Sequence, residues 1–364
     1  MIIFRADGNS IIGMGHVMRS MTIAKAVQSR GESVLFVTAD SMVDTKLDEA
    51  GLNHVSLASD YKDMESEIDA LREIIEEYKA SIIVVDSYQV TNKYLSEITK
   101  LVPSIYLDDL CNETYPVSAL INYNISADLE EYRRLYQRNK VDDSTIPEFI
   151  LGLNYVPLRD MFRLDSDKSK LMASADKVPN GETKIEVLLT AGGADPLNIA
   201  ELVARKWIEV YKDKKLFELN IVCGPLYNQV EKLKEVVKEC DNITLHIDVK
   251  NMAELMNRCQ IAMAATGSTI YELCALGIPT VSFYYVENQR RIAEAFEKQT
   301  PVKNCGDMSK DSDVVLERLF TEVKELCDDG SRRRAVAKEM KKKVDGMGAY
   351  RIADKLIEIA EMDK

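Results

Sequence analysis

The sequence has no excess of basic residues, and this argues against one large class of partners. Its 364 residues include 60 Asp plus Glu against 47 Lys plus Arg, which gives a formal net charge of -13. Proteins that bind nucleic-acid backbones do so through a basic surface. We therefore expect no nucleic-acid partner, and an anionic small ligand would have to be held by local groups.

Paired cysteines and long apolar runs are also missing. The seven cysteines form no CxxC pair and have no neighbouring histidine, which is typical of reduced cytosolic thiols. No apolar stretch approaches the length needed to span a membrane. A first strand that begins within two residues and carries Arg5 and Asp7 predicts no signal peptide. These absences predict a cytoplasmic protein with no membrane partner.

Metal-binding motifs are absent from the glycine-rich regions. The sequence has no HExxH motif, no paired histidines and no Asp-x-Asp element there. These are common ligand patterns for Zn²⁺ and for oxygen-liganded cations. We therefore predict no metal and no cofactor.

What the sequence does contain is a regular alternation of short apolar runs and amphipathic stretches. Runs at residues 2–6, 33–38, 81–86, 104–107 and 119–122 predict strands that alternate with helical patterns. The alternation restarts at residues 185–190, with further predicted strands at 219–223, 244–247, 261–264 and 280–283. Each half opens as a strand, a glycine loop and a helix. This pattern predicts an α/β protein with two Rossmann-like, doubly wound domains that face each other across a cleft.

Composition suggests where these domains begin and end. A stretch rich in Asp, Ser, Lys, Gly and Pro separates the two halves, as is typical of a linker. We predict a first domain at 1–162, a linker at 163–184, a second domain at 185–345 and a C-terminal helix at 346–364.

The first glycine loop carries ligand-type groups at the point where the first strand turns into the first helix. Gly13 and Gly15 precede His16 and Arg19. Glycines let a backbone approach a ligand closely, and a helix start offers unpaired N–H groups to an anion. His16 would point into the crevice at the carboxyl ends of the strands. A histidine here can equally be an exposed neighbour of a turn.

Polar groups also follow two successive strands of the second half. The first of these loops contains Thr266, Gly267, Ser268 and Glu272, and the second contains Asn288 and Gln289. A phosphate and a sugar hydroxyl could be bound there. An ordinary helix N-cap with a glutamate in the first turn explains the first loop as well.

Taken in order, the motifs of the chain resemble those of the nucleotide-sugar hydrolases of the pseudaminic acid pathway. The motifs are Arg5-x-Asp7, Ile12-Gly-Met-Gly-His-Val-Met-Arg19, Val84-Val-Asp86-x-Tyr88, Leu107-Asp-Asp109, Ala191-Gly-Gly-Ala-Asp195, Ala265-Thr-Gly-Ser-Thr-Ile-Tyr-Glu272 and Tyr285-Val-Glu-Asn-Gln289. The resemblance covers roughly the first 300 residues. It implies a glycosyltransferase-B fold and cleavage of UDP-2,4-diacetamido-2,4,6-trideoxy-β-L-altropyranose to UDP and the free sugar.

The resemblance also implies roles for individual residues. His16 becomes the catalytic histidine and Asn288 an active-site asparagine, while Glu272 would bind the ribose and the helix start beside it the diphosphate. Substrate binding is implied for Asp7, Gly13, Gly15, Arg19, Tyr88, Gly192, Gly193, Thr266, Gly267, Ser268, Glu272 and Gln289.

The chain departs from the family pattern in two places. Ser87 stands where the family often has histidine, and the chain is extended by a long linker and by helices after about residue 305. The first removes a polar ring from the predicted pocket, and the second could alter the substrate range or the oligomeric state.

The residue types suit hydrolysis. UDP leaves as a stable anion, so an enzyme mainly has to stabilise the diphosphate and deliver water to the anomeric carbon. A histidine has an ordinary pKa of about 6.5 and can accept the proton of that water. Attack from the face opposite UDP would invert the anomeric centre.

Other functions fit the same motifs. A glycosyltransferase of this fold would pass the sugar to an acceptor, a nucleotide-sugar 2-epimerase would need more carboxylates than the motifs offer, and a sugar-nucleotide binding protein would have no catalytic role for His16. The identity of the sugar and the oligomeric state remain open at this stage.

Overall fold

The computed structural model describes residues 1–9, 11–141, 146–163 and 184–362. The chain divides into two compact units, the first made of Met1–Arg159 and Met347–Lys364 and the second of Asp160–Gly346. The C-terminal helix, which the sequence analysis assigned to neither domain, is part of the first unit. Apart from its two end residues, the predicted linker lies outside the described residues.

The first unit is built on a parallel sheet of seven strands in the order β3-β2-β1-β4-β5-β6-β7. The strands are β1 (Ile2–Ala6), β2 (Val34–Thr38), β3 (His54–Ser56), β4 (Ile82–Asp86), β5 (Ser104–Leu107), β6 (Ala119–Asn122) and β7 (Glu148–Leu151). The helices are α1 (Gly15–Ser29), α2 (Asp44–Glu49), α3 (Ile68–Glu77), α4 (Asn92–Thr99) and α5 (Leu129–Arg138), together with the last helix of the chain at Gly348–Met362.

Alternating side chains of the first sheet enter two separate cores. Ile2 and Phe4 pack on one face with Val17 of α1 and Leu356 of the last helix, whereas Ile3 packs on the other face with side chains of α3 and α4. Because both faces are covered, the central strands are mostly apolar at successive positions instead of alternating between apolar and polar residues. The strand order reverses between β1 and β4, and ligands of open α/β sheets bind at the carboxyl ends of the strands at such a point.

The second unit repeats the design with six parallel strands in the order β10-β9-β8-β11-β12-β13. They are β8 (Ile185–Thr190), β9 (Phe217–Cys223), β10 (Ile243–Ile247), β11 (Ile261–Ala265), β12 (Thr280–Tyr284) and β13 (Lys303–Asp307). Its helices are α6 (Ile199–Tyr211), α7 (Val230–Val237), α8 (Met252–Arg258), α9 (Thr269–Leu276), α10 (Glu287–Gln299), α11 (Ser312–Asp328) and α12 (Gly330–Lys341), and the last helix of the chain is α13.

The predicted pair of Rossmann-like domains with parallel sheets is confirmed. The structure adds three edge strands that the sequence analysis missed, β3, β7 and β13. Each is short and carries polar residues, because one side of an edge strand meets no neighbouring strand. Within the described part of the chain, no helix combines the length and apolar character needed to cross a bilayer.

Candidate functional site

A tight turn joins β1 to α1 and fixes the position of His16. The side-chain Oδ1 of Asn9 accepts hydrogen bonds from the backbone N–H groups of Ile11 at 2.8 Å and Ile12 at 3.0 Å. Asn9 and Gly13 also exchange two backbone hydrogen bonds. Gly13 has a φ of 76°, in the left-handed region that favours glycine. Besides its predicted role in letting a ligand approach, Gly13 therefore allows the backbone conformation of this turn.

His16 forms a close pair with Asp86, which ends β4 on the strand next to β1. The distance from His16 Nδ1 to Asp86 Oδ1 is 2.6 Å, and the two side chains are 10% and 1% exposed. An ionised carboxylate can only accept a hydrogen bond, so Nδ1 carries the proton and Nε2 presents its lone pair. In the described part of the chain, no group makes a hydrogen bond to Nε2.

The charge of Asp86 is strongly stabilised. Burial by itself raises the pKa of this carboxyl, but the Arg19 guanidinium and the His16 ring outweigh burial and hold the pKa well below its ordinary value. Ser20 Oγ donates a further hydrogen bond to Asp86 at 2.9 Å. Asp86 is therefore ionised at neutral pH, and it fixes both the tautomer and the orientation of the imidazole.

A small pocket opens beside this pair at the carboxyl ends of β1 and β4. Its lining is Asp7, Ile12, His16, Asp86, Ser87, Tyr88 and Gln89. Three of the predicted site residues, Asp7, His16 and Tyr88, thus lie around one pocket. A water molecule in it would lie within reach of the imidazole.

Arg19 is bound to two carboxylates instead of being open to a ligand. Its Nε and Nη2 donate to Asp86 at 2.7 Å and 2.5 Å. Its Nη1 donates to both oxygens of Asp109, at 3.0 Å and 2.8 Å, and to the Tyr123 hydroxyl at 2.9 Å. Burial lowers the pKa of Arg19, but Asp109 and Asp86 more than offset this and raise it. Arg19 thus holds the two acidic groups in place, and its predicted contact with the substrate stays a prediction.

Tyr88 presents a neutral hydroxyl and a half-exposed ring. Its hydroxyl donates to Asp109 Oδ2 at 2.8 Å, and its ring meets the His16 ring edge-on with 4.6 Å between the centroids. Burial and the Asp109 carboxylate raise the pKa of Tyr88. The ring is 44% exposed, so it offers an apolar surface beside the imidazole.

Both oxygens of Asp7 are occupied by groups of the chain itself. Arg5 Nη1 donates to one at 2.6 Å and the backbone N–H of Ala39 to the other at 2.7 Å. Arg5 is in turn held by Glu67 through two hydrogen bonds at 2.7 Å and 2.8 Å. Asp7 therefore shapes the wall of the pocket through a buried ion-pair cluster.

In the second unit, Tyr285 joins the glycine loop after β8 to the start of α10. Its hydroxyl donates to the carbonyl of Ala191 at 3.0 Å, and its backbone N–H donates to Gln289 Oε1 at 3.2 Å. Gly192 has a φ of 90°, and a Cβ added there would lie 3.1 Å from the Tyr285 hydroxyl. Both the backbone conformation and the neighbouring ring thus require glycine at this position.

The two predicted loops of the second unit differ in whether a side chain caps the helix that follows. Asp195 accepts the backbone N–H groups of Ile199 and Ala200, each at 2.8 Å, so a carboxylate of the chain already caps α6. At α9 the N-cap residue Ser268 makes no such side-chain bond. Among the described residues, no group accepts from the N–H of Ser268 or Thr269. The start of α9 therefore has backbone N–H groups that are less occupied by the chain itself than those of α6.

The other predicted residues of the second unit lie in different environments. Thr266 is fully buried and its hydroxyl donates to the Phe283 carbonyl at 2.9 Å, so its side chain stabilises the loop, and its predicted contact with the substrate stays a prediction. Glu272 lies within α9 and is partly buried, whereas Asn288 is exposed in the first turn of α10.

The predicted residues divide between the two units. The first contains Asp7, Gly13, Gly15, His16, Arg19 and Tyr88, and the second contains Gly192, Gly193, Thr266, Gly267, Ser268, Glu272, Asn288 and Gln289. Within the described ranges, no three His, Cys, Asp or Glu side chains are grouped so that they could hold a metal ion.

Sequence reasoning gave no role to Asp86, Asp109 or Tyr123. Each of the three lies at the carboxyl end of β4, β5 or β6, which are neighbours in the sheet. Polar residues that end successive buried strands were the available signal, because such strand ends meet at one edge of the sheet.

Comparison with known proteins gives a fold and a group of distant relatives. A family described as a protein of unknown function, DUF354, matches residues 194–338. An uncharacterized protein of Methanocaldococcus jannaschii is 27% identical over 300 residues, which are 80% of this chain and 57% of that protein. This chain thus spans little more than half the length of that relative.

One relative carries a functional name. The UDP-2,4-diacetamido-2,4,6-trideoxy-β-L-altropyranose hydrolase of Campylobacter jejuni is 24% identical over 303 residues, which cover 82% of this chain and 96% of that enzyme. Among solved structures, MurG of Acinetobacter baumannii has a TM-score of 0.68 and 13% identity, with coverage of 98% and 99% of the two chains. The predicted glycosyltransferase-B-like fold is confirmed by this similarity.

Proposed function

We propose that this protein hydrolyses a UDP-linked 2,4-diacetamido-2,4,6-trideoxyhexose to UDP and the free sugar, with inversion at the anomeric carbon. The observation that carries the proposal is the His16–Asp86 pair, with 2.6 Å between Nδ1 and Oδ1 and with Nε2 left without a hydrogen bond from any described residue. A carboxylate-held imidazole with an open nitrogen is suited to general-base catalysis.

In the proposed reaction, His16 activates a water molecule. The water oxygen forms a bond to the anomeric carbon, the bond from that carbon to the UDP oxygen breaks, and its electron pair leaves with UDP. The water proton passes to His16 Nε2, and Asp86 stabilises the resulting imidazolium. Direct displacement by water inverts the configuration. By the family resemblance alone, we propose that Asn288 helps to hold this water.

The second unit is proposed to bind the nucleotide, through the loop of Gly192 and Gly193 and through the start of α9. The backbone N–H groups at the start of α9 suit a diphosphate because they are directed outward at the positive end of the helix. Glu272 is proposed to accept hydrogen bonds from the ribose hydroxyls. With UDP as a stable leaving anion, no strong acid is required on that side of the reaction.

The choice of sugar rests on the Campylobacter jejuni relative and on the motifs shared with its family. That relative is named for a UDP-linked diacetamido-trideoxyhexose, and sugars of this kind are precursors of pseudaminic acid. We therefore propose a role in nonulosonic acid biosynthesis.

The test is UDP release in the absence of any acceptor. A panel of UDP-linked 2,4-diacetamido-trideoxyhexoses that differ in configuration is incubated with the protein, with UDP-N-acetylglucosamine as the reference. We expect rapid release of UDP from one member of the panel. If no member releases UDP without an acceptor, the hydrolase proposal is wrong.

A glycosyltransferase is the second candidate, since the chain shares its fold with MurG. Such an enzyme would release UDP only when an acceptor is added. Calorimetric binding of the UDP-sugar without any turnover would instead indicate a protein that only binds sugar nucleotides.

A further inference from the structure

The His16–Asp86 pair is not isolated, because the Arg19 guanidinium links Asp86 to a second carboxylate, that of Asp109. Asp86 receives two hydrogen bonds from Arg19, and Asp109 receives two more from the opposite end of the same guanidinium. Arg19 Nη2 also lies 3.2 Å from His16 Nδ1. The cation nearest to the imidazole is therefore shared between two anions.

Asp109 also contacts the other group that borders His16. It accepts the Tyr88 hydroxyl at 2.8 Å, and the Tyr88 ring meets the His16 ring at 4.6 Å between centroids. Asn124 donates to Asp109 at 3.0 Å, and the Asp109 side chain is 14% exposed. One well-anchored carboxylate thus holds both Arg19 and Tyr88.

The charge balance around His16 depends on Asp109. The charged and titratable groups that surround the imidazole are Asp86 from β4, Arg19 from α1, Tyr88 after β4 and Asp7 after β1. Asp7 is paired with Arg5, which Glu67 also holds, so this group has no contact with Asp109 among the ion pairs of the described residues and keeps the same charge when Asp109 is changed; Tyr88 is uncharged. Asp86, Asp109 and Arg19 together carry one net negative charge, which becomes zero when Asp109 is neutral.

We propose that Asp109 is a positioning residue that keeps His16 a strong enough base by drawing the positive charge of Arg19 away from the His16–Asp86 pair. The proposal rests on the proposed role of His16 as the base. Without Asp109, the positive charge of Arg19 would be balanced by Asp86 alone. A protonated His16 beside Arg19 would then be less stable.

The test measures the imidazole directly. The chain has three histidines, so nitrogen-15 NMR resolves each ring, and the spectrum of His16→Asn assigns the His16 signals. In the wild type we expect the tautomer protonated at Nδ1. In Asp109→Asn we expect the titration midpoint of His16 to fall by roughly one pH unit, as removal of a negative charge several ångströms away would produce.

Two variants serve as controls. Asp69→Asn removes an exposed carboxylate at the start of α3 and should leave the midpoint unchanged. Asp109→Glu keeps the negative charge, so its His16 midpoint should be close to that of the wild type. An unchanged His16 midpoint in folded Asp109→Asn would overturn the proposal.

A second variant covers the case in which Asp109→Asn does not fold. Tyr88→Phe keeps the ring but removes a hydrogen-bond donor from Asp109. The negative charge of Asp109 is then less offset by the hydroxyl dipole, so the titration midpoint of His16 should rise by a few tenths of a pH unit. A constant or lower midpoint in Tyr88→Phe would contradict the proposal.

The activity readout separates this proposal from the proposed function. If the wild type releases UDP, the acidic limb of its pH–rate profile should move to lower pH in Asp109→Asn, with a lower maximal rate because the base is weaker. If the wild type releases no UDP from any substrate, the proposed function fails, while the NMR titration still decides the role of Asp109.

Discussion

The two units have the same parallel architecture, but their candidate sites are built from different groups. The first uses buried, charged side chains that bond to one another, with His16 and Asp86 at 2.6 Å and Arg19 joined to two carboxylates. The second uses glycines and backbone N–H groups, with Gly192 in the left-handed region and the start of α9 uncapped by its N-cap side chain.

This difference suits a division of labour. A side-chain network can fix the proton position of a base, whereas backbone groups can bind an anion without changing their charge. The first arrangement favours chemistry and the second favours binding. Substitutions in the first unit should therefore change rates, and substitutions in the second should change affinities.

The largest expected effect is that of His16→Asn. Removal of a general base lowers rates by roughly 10² to 10⁴-fold, and we expect UDP release to fall within this range while the affinity for UDP stays the same. The matched control is His54→Asn, which changes a histidine elsewhere in the first unit. Stopped assays for UDP and calorimetry give the two quantities, and a His16→Asn protein that keeps most of its turnover would show that His16 is not the base.

The next effect is that of Gly192→Ala on nucleotide affinity. The substitution strains a φ of 90° and presses a methyl group against the Tyr285 hydroxyl, which should weaken UDP binding by about tenfold. Gly31→Ala is the matched control, because Gly31 has a φ of 91° with no atom within 4 Å of an added Cβ. It should lower stability without changing affinity. Equal affinities for UDP in the two variants would break the assignment of the glycine loop to the nucleotide.

A smaller effect concerns acid stability. The pKa of Asp86 is lower in the folded protein than in the unfolded chain, so its contribution to stability is complete above the ordinary Asp pKa of about 3.9 and declines as the pH falls below it. Urea unfolding should show that the difference in unfolding free energy between the wild type and Asp86→Asn is largest near neutral pH. This difference should become smaller toward about pH 3. A deficit that is independent of pH would mean that the charge of Asp86 does not stabilise the fold.

The smallest effect is expected for Thr266→Val. The change removes a buried hydrogen bond to the Phe283 carbonyl, which also accepts the Thr266 backbone N–H at 2.8 Å. The free energy of unfolding should fall by about 1 kcal/mol, with UDP affinity unchanged. A protein of normal stability with much weaker UDP binding would show instead that the Thr266 hydroxyl contacts the ligand.

Sequence reasoning predicted the strands that carry the sites because those strands are buried on both faces. The runs Ile2–Ala6 and Ile185–Thr190 are mostly apolar, with Arg5 and Glu186 as their only charged residues, and such short, mainly apolar runs favour buried strands. The edge strand β3, with the sequence His-Val-Ser, lacks such a signal since one of its sides is open.

The candidate site was predictable only in part. His16 and Tyr88 lie in recognisable motifs, but the partners of Arg19 could not be foreseen because Asp86, Asp109 and Tyr123 are separated from it by 67, 90 and 104 positions. Their contact depends on the strand order β1-β4-β5-β6, which a single sequence does not specify. For the same reason, the sequence did not indicate that the charge of Arg19 is matched within the protein.

The most direct test of the central claim, that His16 delivers water to the anomeric carbon, is hydrolysis in oxygen-18 water followed at once by NMR and mass spectrometry of both products. The account predicts that the label enters the sugar and that the first sugar formed is a single, inverted anomer. Label in the β-phosphate of UDP, or a sugar of retained configuration, would contradict it.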